Sequence, residues 1–323
     1  MRAMMVEQPG GPEVLRLGER PKPTPGPGEV SVEVQYAGAG FVDTLFRAGK
    51  FGLPTPFVPG LEVTGRVRAM GNDVHGLSVG QTVAALLNDF GRTARAGGYA
   101  EVVVAHASMT CALPRHVDPA VIAGVLINGV TAWLALHDLA RLAVTDTVLV
   151  LGASGGLGGI TGRLAALRPA RQVIAVVGSP GKRQAVVDAG GWTDVVLADE
   201  LDQLSELDVV IDSVGGELRA QAFDLLAPFG RMVVLGNASG DDRALSGDAF
   251  WHGTRQVQGL SLGSVAHLIP DKVGTALRAV VDLVARDVLR EPKPDVQPLK
   301  RAADVHRALE SRSAPAKTVL AVS

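Results

Sequence analysis

Residues 152–159 read GASGGLGG, between the apolar run TVLVL and a stretch with Ile160, Leu164 and Leu167 at helical spacing. A strand, a tight glycine turn and a helix in that order suit a pyrophosphate. The helix start offers unpaired N–H groups and a partial positive charge, and glycines let the backbone approach the phosphates. Ala153, Gly155 and Gly158 fall where the G-x-G-x-x-G pattern has its glycines. Alanine at the first costs little if the turn there needs no positive φ. Ser154, Gly155, Gly156, Leu157 and Gly158 are therefore the expected pyrophosphate-binding residues. A plain strand-to-helix turn is the alternative, and the second strand–helix unit downstream favours the nucleotide.

That second unit reads QVIAVVGSPGKR. A site for NAD carries Asp or Glu near the end of this strand, where it accepts from the ribose hydroxyls. From 178 to 183 there is no acid. Gly178 and Ser179 leave room, and Lys182 and Arg183 supply cations that suit a 2′-phosphate. The expected cofactor is NADP(H). The competing reading makes Lys182 and Arg183 a solvated first helical turn.

Other chemistry finds no support. The seven histidines are scattered, with no HxxxH or HExxH, and the single cysteine, Cys111, has no cysteine partner, so no metal site is expected. The G-x-S-x-G spacing occurs at 76–80, 152–156 and 259–263, but none of these is read as a nucleophile elbow, so hydrolase chemistry is not expected. Cys111 reads as a small buried thiol. Without a metal or nucleophile the cofactor must carry the reaction. That suits hydride delivery to an acceptor needing no strong Lewis acid, such as a quinone or an activated double bond.

The elements that must position these residues follow from pattern. The first 120 or so residues read as short strands, among them 28–38, where Val30, Val32, Val34 and Tyr36 alternate, then 61–71 and 97–106. Residues 121–140 read as a helical region broken around Asn128–Gly129. From there strands at 147–152, 172–178, 207–213, 230–237 and 256–264 alternate with helices at 158–167, 180–189 and within 217–227, with Pro169 ending the first. Val/Ile/Leu-rich strands alternating with helices predict a parallel sheet covered on both faces. The tail holds an amphipathic helix over 271–289, a proline-rich extended stretch and a last strand at 317–323. It is expected to return to the first domain.

With 323 residues the chain is long enough for two domains. A net charge near −2 gives no bulk basic field for nucleic acid or an anionic membrane. The 4% aromatic content argues against base-stacking platforms. One cysteine precludes an intrachain disulfide and fits a reducing compartment. The N-terminus lacks a signal-peptide core, and no run of about twenty apolar residues is present. A cytoplasmic protein without nucleic-acid or membrane partners is expected.

The ordered set PGGPEVL, PGPGEVSVEV, VDTLFRAGKF, VPGLEVTGRV, GGYAEVVV, NGVTAWLAL, GASGGLGG, DSVGG, GRMVVLGNASG and ALESRSAPAKTVL resembles the zinc-independent quinone oxidoreductase group of the medium-chain dehydrogenase/reductase superfamily. The resemblance runs nearly end to end. It implies an α/β fold: a Rossmann doubly wound parallel sheet over 123–264, plus a discontinuous GroES-like irregular β-barrel from 1–122 and 265–323, with a cofactor cleft between them. It implies NADPH-dependent hydride transfer to a quinone-type acceptor. A conjugated enone or enal double-bond reductase is the alternative enzyme. A redox sensor or structural protein that binds NADPH with little turnover is the alternative of another class. Zinc-bearing relatives have His where this chain has Leu61, beside Glu62. The group implies a homodimer through the edge strand 256–264.

By matching motifs, Asn128 and Thr131 would lie near the nicotinamide and Ser213 and Val214 on the adenosine side. Gly236 and Asn237 would approach the nicotinamide ribose or carboxamide, and Arg312 would close over the cofactor. The substrate-pocket candidates are Gly40, Asp43, Arg47, Phe51 and His252. Gly40 stands where many relatives have Asn, and Leu45, Phe51 and Ala198 stand where tyrosines are frequent. Fewer hydroxyl donors favour an apolar acceptor. Whether Arg47, Asn88 or His252 replaces a donor stays open at this level, as does a structural ion pair for Arg47. No general acid is assigned.

Overall fold

The computed structural model describes residues 1–87, 97–168, 170–314 and 317–322. Asn88 and Pro169 lie outside them. The chain divides into two compact units, Met1–Ile127 with Gly263–Ser323, and Asn128–Leu262.

The first unit opens with an antiparallel pair, β1 (Arg2–Val6) and β2 (Leu15–Glu19). β3 (Glu29–Ala39) follows, with Val30, Val32 and Val34 fully buried. Helix α1 (Phe41–Arg47) leads toward β4 (Glu62–Met70), β5 (Thr82–Leu86), β6 (Val102–His106) and β7 (Thr110–Ala112). β3 pairs with β4 through two irregularities, at Ser31/Val32 and Val34/Tyr36. Such bulges bend a strand. They accompany a change of neighbour on the other edge of β3, which pairs with β6 over Glu29–Glu33 and with the C-terminal strand over Tyr36–Ala39.

The helical region is interrupted earlier than expected. α2 (Pro119–Ala123) starts under an Asp118 cap and stops at Gly124, and α3 (Leu126–Leu134) runs through Asn128 and Gly129 unbroken. The interruption sits at Gly124–Val125 because the start of α3 is satisfied from outside: Ile127 N–H donates to the buried carboxylate of Glu62 at 2.7 Å. A pattern of apolar residues carries no trace of that distant acceptor.

In the second unit the strands are β8 (Thr147–Leu151), β9 (Gln172–Val177), β10 (Asp194–Leu197), β11 (Leu207–Asp212), β12 (Leu226–Val234) and β13 (Gln256–Gly259). All pairings are parallel, in the order β10-β9-β8-β11-β12-β13. This is the doubly wound order of a dinucleotide fold. Helices α4 (Gly156–Ala166), α5 (Pro180–Ala189), α6 (Gly216–Asp224) and α7 (Gly247–Gly253) connect them. Alternation within β9 divides the core: Ile174 and Val176 pack with Phe223 of α6, whereas Ala175 and Val177 pack with Val186 of α5. Opposite faces of one strand are thus buried under different helices, as continuous Val/Ile/Ala strands require.

Two boundaries differ from expectation. α6 ends at Asp224 rather than 227, since Leu226 already belongs to β12. β13 ends at Gly259 rather than 264, and residues Leu262–Val265 form a short helix, α8. After Leu260 N–H donates to Val234 O there is no more β12 left to pair with.

The tail comprises α9 (Pro270–Ala285), β14 (Asp295–Pro298), α10 (Ala302–Glu310) and β15 (Thr318–Ala321). β15 lies between β14 and β3, so the C-terminal strand is an interior member of the N-terminal sheet. Among the described residues no helix is long and apolar enough to cross a membrane.

Candidate functional site: an open helix start behind a glycine turn

The turn after β8 is built around Gly152, whose φ of +70° suits glycine. Its carbonyl accepts from Gly155 N–H at 2.9 Å. Ala153 does not need positive φ, and its N–H donates to Val176 O at 3.0 Å. Its methyl is buried in the core beneath α5. The alanine at the first fingerprint position is therefore a packing residue. Gly158 is a steric glycine: a Cβ there would lie 2.3 Å from Gly152 O.

α4 begins at Gly156, with Gly155 as an extended N-cap lacking any side chain to cap with. The first helical bond runs from Gly159 N–H to Gly155 O at 2.8 Å. The N–H groups of Gly156, Leu157 and Gly158 thus have no partner within the helix. Ser154, Gly155 and Gly156 are exposed in front of them. Asn128 joins this site: a Cβ on Gly156 would meet Asn128 Nδ2 at 2.8 Å. Thr131 is one turn further along α3, 8% exposed. Uncapped donors with exposed, side-chain-free backbone fit a dinucleotide pyrophosphate.

At the end of β9, Gly178 faces open space, with no atom within 4 Å of where a Cβ would stand. Ser179 takes the N-cap position of α5 in extended conformation, and its hydroxyl does not cap the helix. Lys182 is exposed and, among the described residues, makes no ion pair. Arg183 is engaged differently. Its Nε donates to Val195 O at 3.0 Å and its Nη2 pairs with Glu200. Glu200 also accepts from Leu197 N–H at 2.8 Å, and that bond, followed by Arg183, lowers its pKa. Sequence reasoning did not see Glu200, which comes from the stretch after β10.

The third edge of this site rests on an ion pair that motif reading missed. Asp212, fully buried at the end of β11, accepts from Val214 and Gly215 N–H at 2.8 and 2.9 Å. It pairs with Arg219 Nε at 2.5 Å. Arg219 Nη2 donates to Gly236 O at 2.8 Å. The 213–216 turn and the 236–239 turn are also joined by Ala238 N–H to Ser213 O and Ser239 N–H to Val214 O. Asn237 packs on Gly215, where a Cβ would come within 2.2 Å of Asn237 Oδ1 and φ is +81°. Ser213, Val214, Gly236 and Asn237 are therefore brought together, and Arg219 is the tie. An arginine seven residues after a strand-end aspartate was the available signal.

The candidates of the first unit fall into two groups. Gly40 and Phe51 are on the surface side, with Phe51 55% exposed and tilted against Phe46 at 5.0 Å. Asp43 and Arg47 are interior. Asp43 accepts from Gly40 N–H at 2.9 Å and Gly60 N–H at 3.1 Å, so it joins the two ends of the 40–60 segment. Burial pushes its pKa up to about 7, against the lowering effect of those N–H groups and of Lys317. Arg47, 1% exposed, donates to Gly10 O, faces His306 and pairs with Glu310. Its donors are occupied by the fold, so the ion-pair reading describes it and a pocket donor does not. Arg312 is exposed just after α10 with φ +55°, its N–H donating to Leu309 O. His252, in the second unit, is exposed on α7 beside Trp251.

The residues do not fit a zinc centre. Among the described residues no three His, Cys, Asp or Glu side chains converge. Leu61 is an apolar, buried side chain. Glu62 is already committed to Lys317 Nζ at 3.0 Å and to Ile127 N–H. Burial pushes the Cys111 thiol up to about 12, the opposite of an activated thiolate.

Comparison with known proteins agrees with this architecture. Residues 26–115 match the alcohol dehydrogenase GroES-like domain, and residues 183–320 match a family described as zinc-binding dehydrogenase. A quinone oxidoreductase of Pseudomonas aeruginosa is 31% identical over 96% of both chains. Among solved structures, a mycobacterial protein complexed with NADPH is 29% identical over the whole of both chains, with a TM-score of 0.88. The Escherichia coli quinone oxidoreductase complexed with NADPH is 27% identical, also over both whole chains, with a TM-score of 0.86. A doubly wound dinucleotide sheet accompanied by a GroES-like barrel defines a two-domain dehydrogenase or reductase. The chain belongs to the medium-chain dehydrogenase/reductase superfamily and, through its full-length relatives, to the quinone oxidoreductases within it.

Proposed function

We propose that the protein is an NADPH-dependent, zinc-independent oxidoreductase that delivers hydride to a quinone-type acceptor. The observation that carries the reading is the exposed, uncapped start of α4 behind the Gly152 turn. The NADPH-complexed relatives support it. In this reading the backbone of Ser154, Gly155, Gly156, Leu157 and Gly158 holds the pyrophosphate. Gly178 leaves space for the 2′-phosphate, with Ser179 and Lys182 as its partners. Ser213 and Val214 serve the adenosine side; Asn128, Thr131, Gly236 and Asn237 serve the nicotinamide end, and Arg312 covers the cofactor. Bound NADPH supplies the hydride, so the chain needs no metal or nucleophile of its own. Quinone reduction can take its protons from water, so the reading asks no general acid of the chain. Gly40 and Phe51 present an acceptor with little polar grip. The free edge of β13 would join a second copy in a homodimer.

Turnover assays with NADPH and NADH against quinone and enone panels test the reading. NADPH-dependent quinone reduction is expected. Turnover of enones alone would make the protein a double-bond reductase. Tight NADPH binding with no turnover would make it a sensor.

A further inference from the structure

We infer that Glu200 is a specificity-determining residue for the cofactor: by pairing with Arg183 it withholds that cation from the 2′-phosphate and leaves Lys182, with Ser179, to carry the discrimination. The inference rests on the NADP(H) reading and deepens it. Two cations adjoin one helix start, and the structure treats them differently. Lys182 is exposed and without an ion pair among the described residues. Arg183 has its Nε on Val195 O and its Nη2 on Glu200.

Glu200 is itself held. Its carboxylate accepts from Leu197 N–H at 2.8 Å, so it is oriented toward Arg183 by the backbone at the end of β10. A neutral Arg183–Glu200 pair contributes little attraction to a phosphate dianion, whereas Lys182 contributes its full charge. Discrimination is thereby held below what two free cations would give.

Glu200→Gln keeps an oxygen for Leu197 N–H and removes the charge. Binding is read by titration calorimetry with NADPH and with NADH, with thermal unfolding to check the fold. The expected result is a gain of about three- to fivefold in NADPH affinity, the size of an exposed ion-pair effect, with NADH unchanged. In the double variant Glu200→Gln/Arg183→Ala the gain should vanish. A Glu200→Gln protein with the parent ratio of NADPH to NADH affinity overturns the inference, as does a gain that survives loss of Arg183. If the parent protein binds NADH as well as NADPH, the 2′-phosphate reading itself falls, and the role of Glu200 with it.

Discussion

His306 and Tyr99 meet ring nitrogen to hydroxyl, Nε2 to Oη, at 3.1 Å, and neither residue is exposed to solvent. The other ring nitrogen faces Arg47 Nη1 at 3.4 Å. A guanidinium only donates, so Nδ1 accepts and Nε2 carries the hydrogen that it gives to Tyr99. Arg47 fixes the tautomer. Burial first, then the Arg47 charge, pushes the His306 pKa down to about 3, so the ring is neutral at physiological pH.

This neutrality has a measurable cost at low pH, and Asp43 opposes it. Unfolded His306 takes a proton near 6.5 and the folded ring refuses it until about 3, so stability from this residue is lost as pH falls through that window. Asp43 runs the other way. Folded, it keeps its proton up to about 7; unfolded, it gives the proton up near 3.8, so stability falls as pH rises between them. Each slope is about 1.4 kcal/mol per pH unit, and they offset each other from about 4 to 6.5. Asp43→Asn should make stability climb more steeply with pH than the parent over that range, and His306→Gln should make it fall. Urea midpoints at pH 5 and 6 decide this; parallel pH curves for parent and variants would refute it.

Two glycines of the nucleotide site separate packing from binding. Gly158→Ala drives a methyl into Gly152 O, and should destabilise by about 1–3 kcal/mol as well as abolish NADPH binding. Gly178→Ala meets nothing and should leave the melting temperature unchanged or slightly raised. If the cofactor fills that space, NADPH affinity still falls. Unchanged affinity in a well-folded Gly178→Ala protein would put the 2′-phosphate elsewhere.

Arg219 is the tie beneath the third edge. Arg219→Ala strands the fully buried Asp212 carboxylate, and should cost about 3 kcal/mol of stability. Because Gly236 O loses its donor too, both NADPH and NADH should bind more weakly. Chemical denaturation and fluorescence titration measure the two effects. A variant as stable as the parent would mean that Asp212 needs only its two backbone donors.

Lys182→Ala should weaken NADPH about ten- to a hundredfold, a charge-assisted contact of about 1.5–3 kcal/mol being lost, and leave NADH untouched. Equal losses for both cofactors would assign Lys182 to the shared part of the dinucleotide.

Local pattern carried most of the fold. β8, β9, α4 and α5 are contiguous runs whose apolar period is their own evidence, and their observed limits follow it closely. The failures share a cause: the deciding partner is remote in sequence. The start of α3 depends on Glu62, and β13 ends where β12 ceases to offer acceptors. Arg47 lies 263 positions from Glu310, and nothing near Arg47 announces that acid. In the site, the glycines were legible because geometry selects them locally. The division of labour between Lys182 and Arg183 was not, because Glu200 arrives from another strand.

The position of β15 bears on biosynthesis. A ribosome makes β3 before the dinucleotide sheet and β15 after it, yet β15 lies directly against β3. Until residues 318–321 emerge, the Tyr36–Ala39 edge of β3 has no native partner and is an open template for wrong pairing. The dinucleotide sheet, whose strands all lie between 147 and 259, has every strand available sooner. Vectorial synthesis therefore completes the second unit first and leaves the barrel to close last.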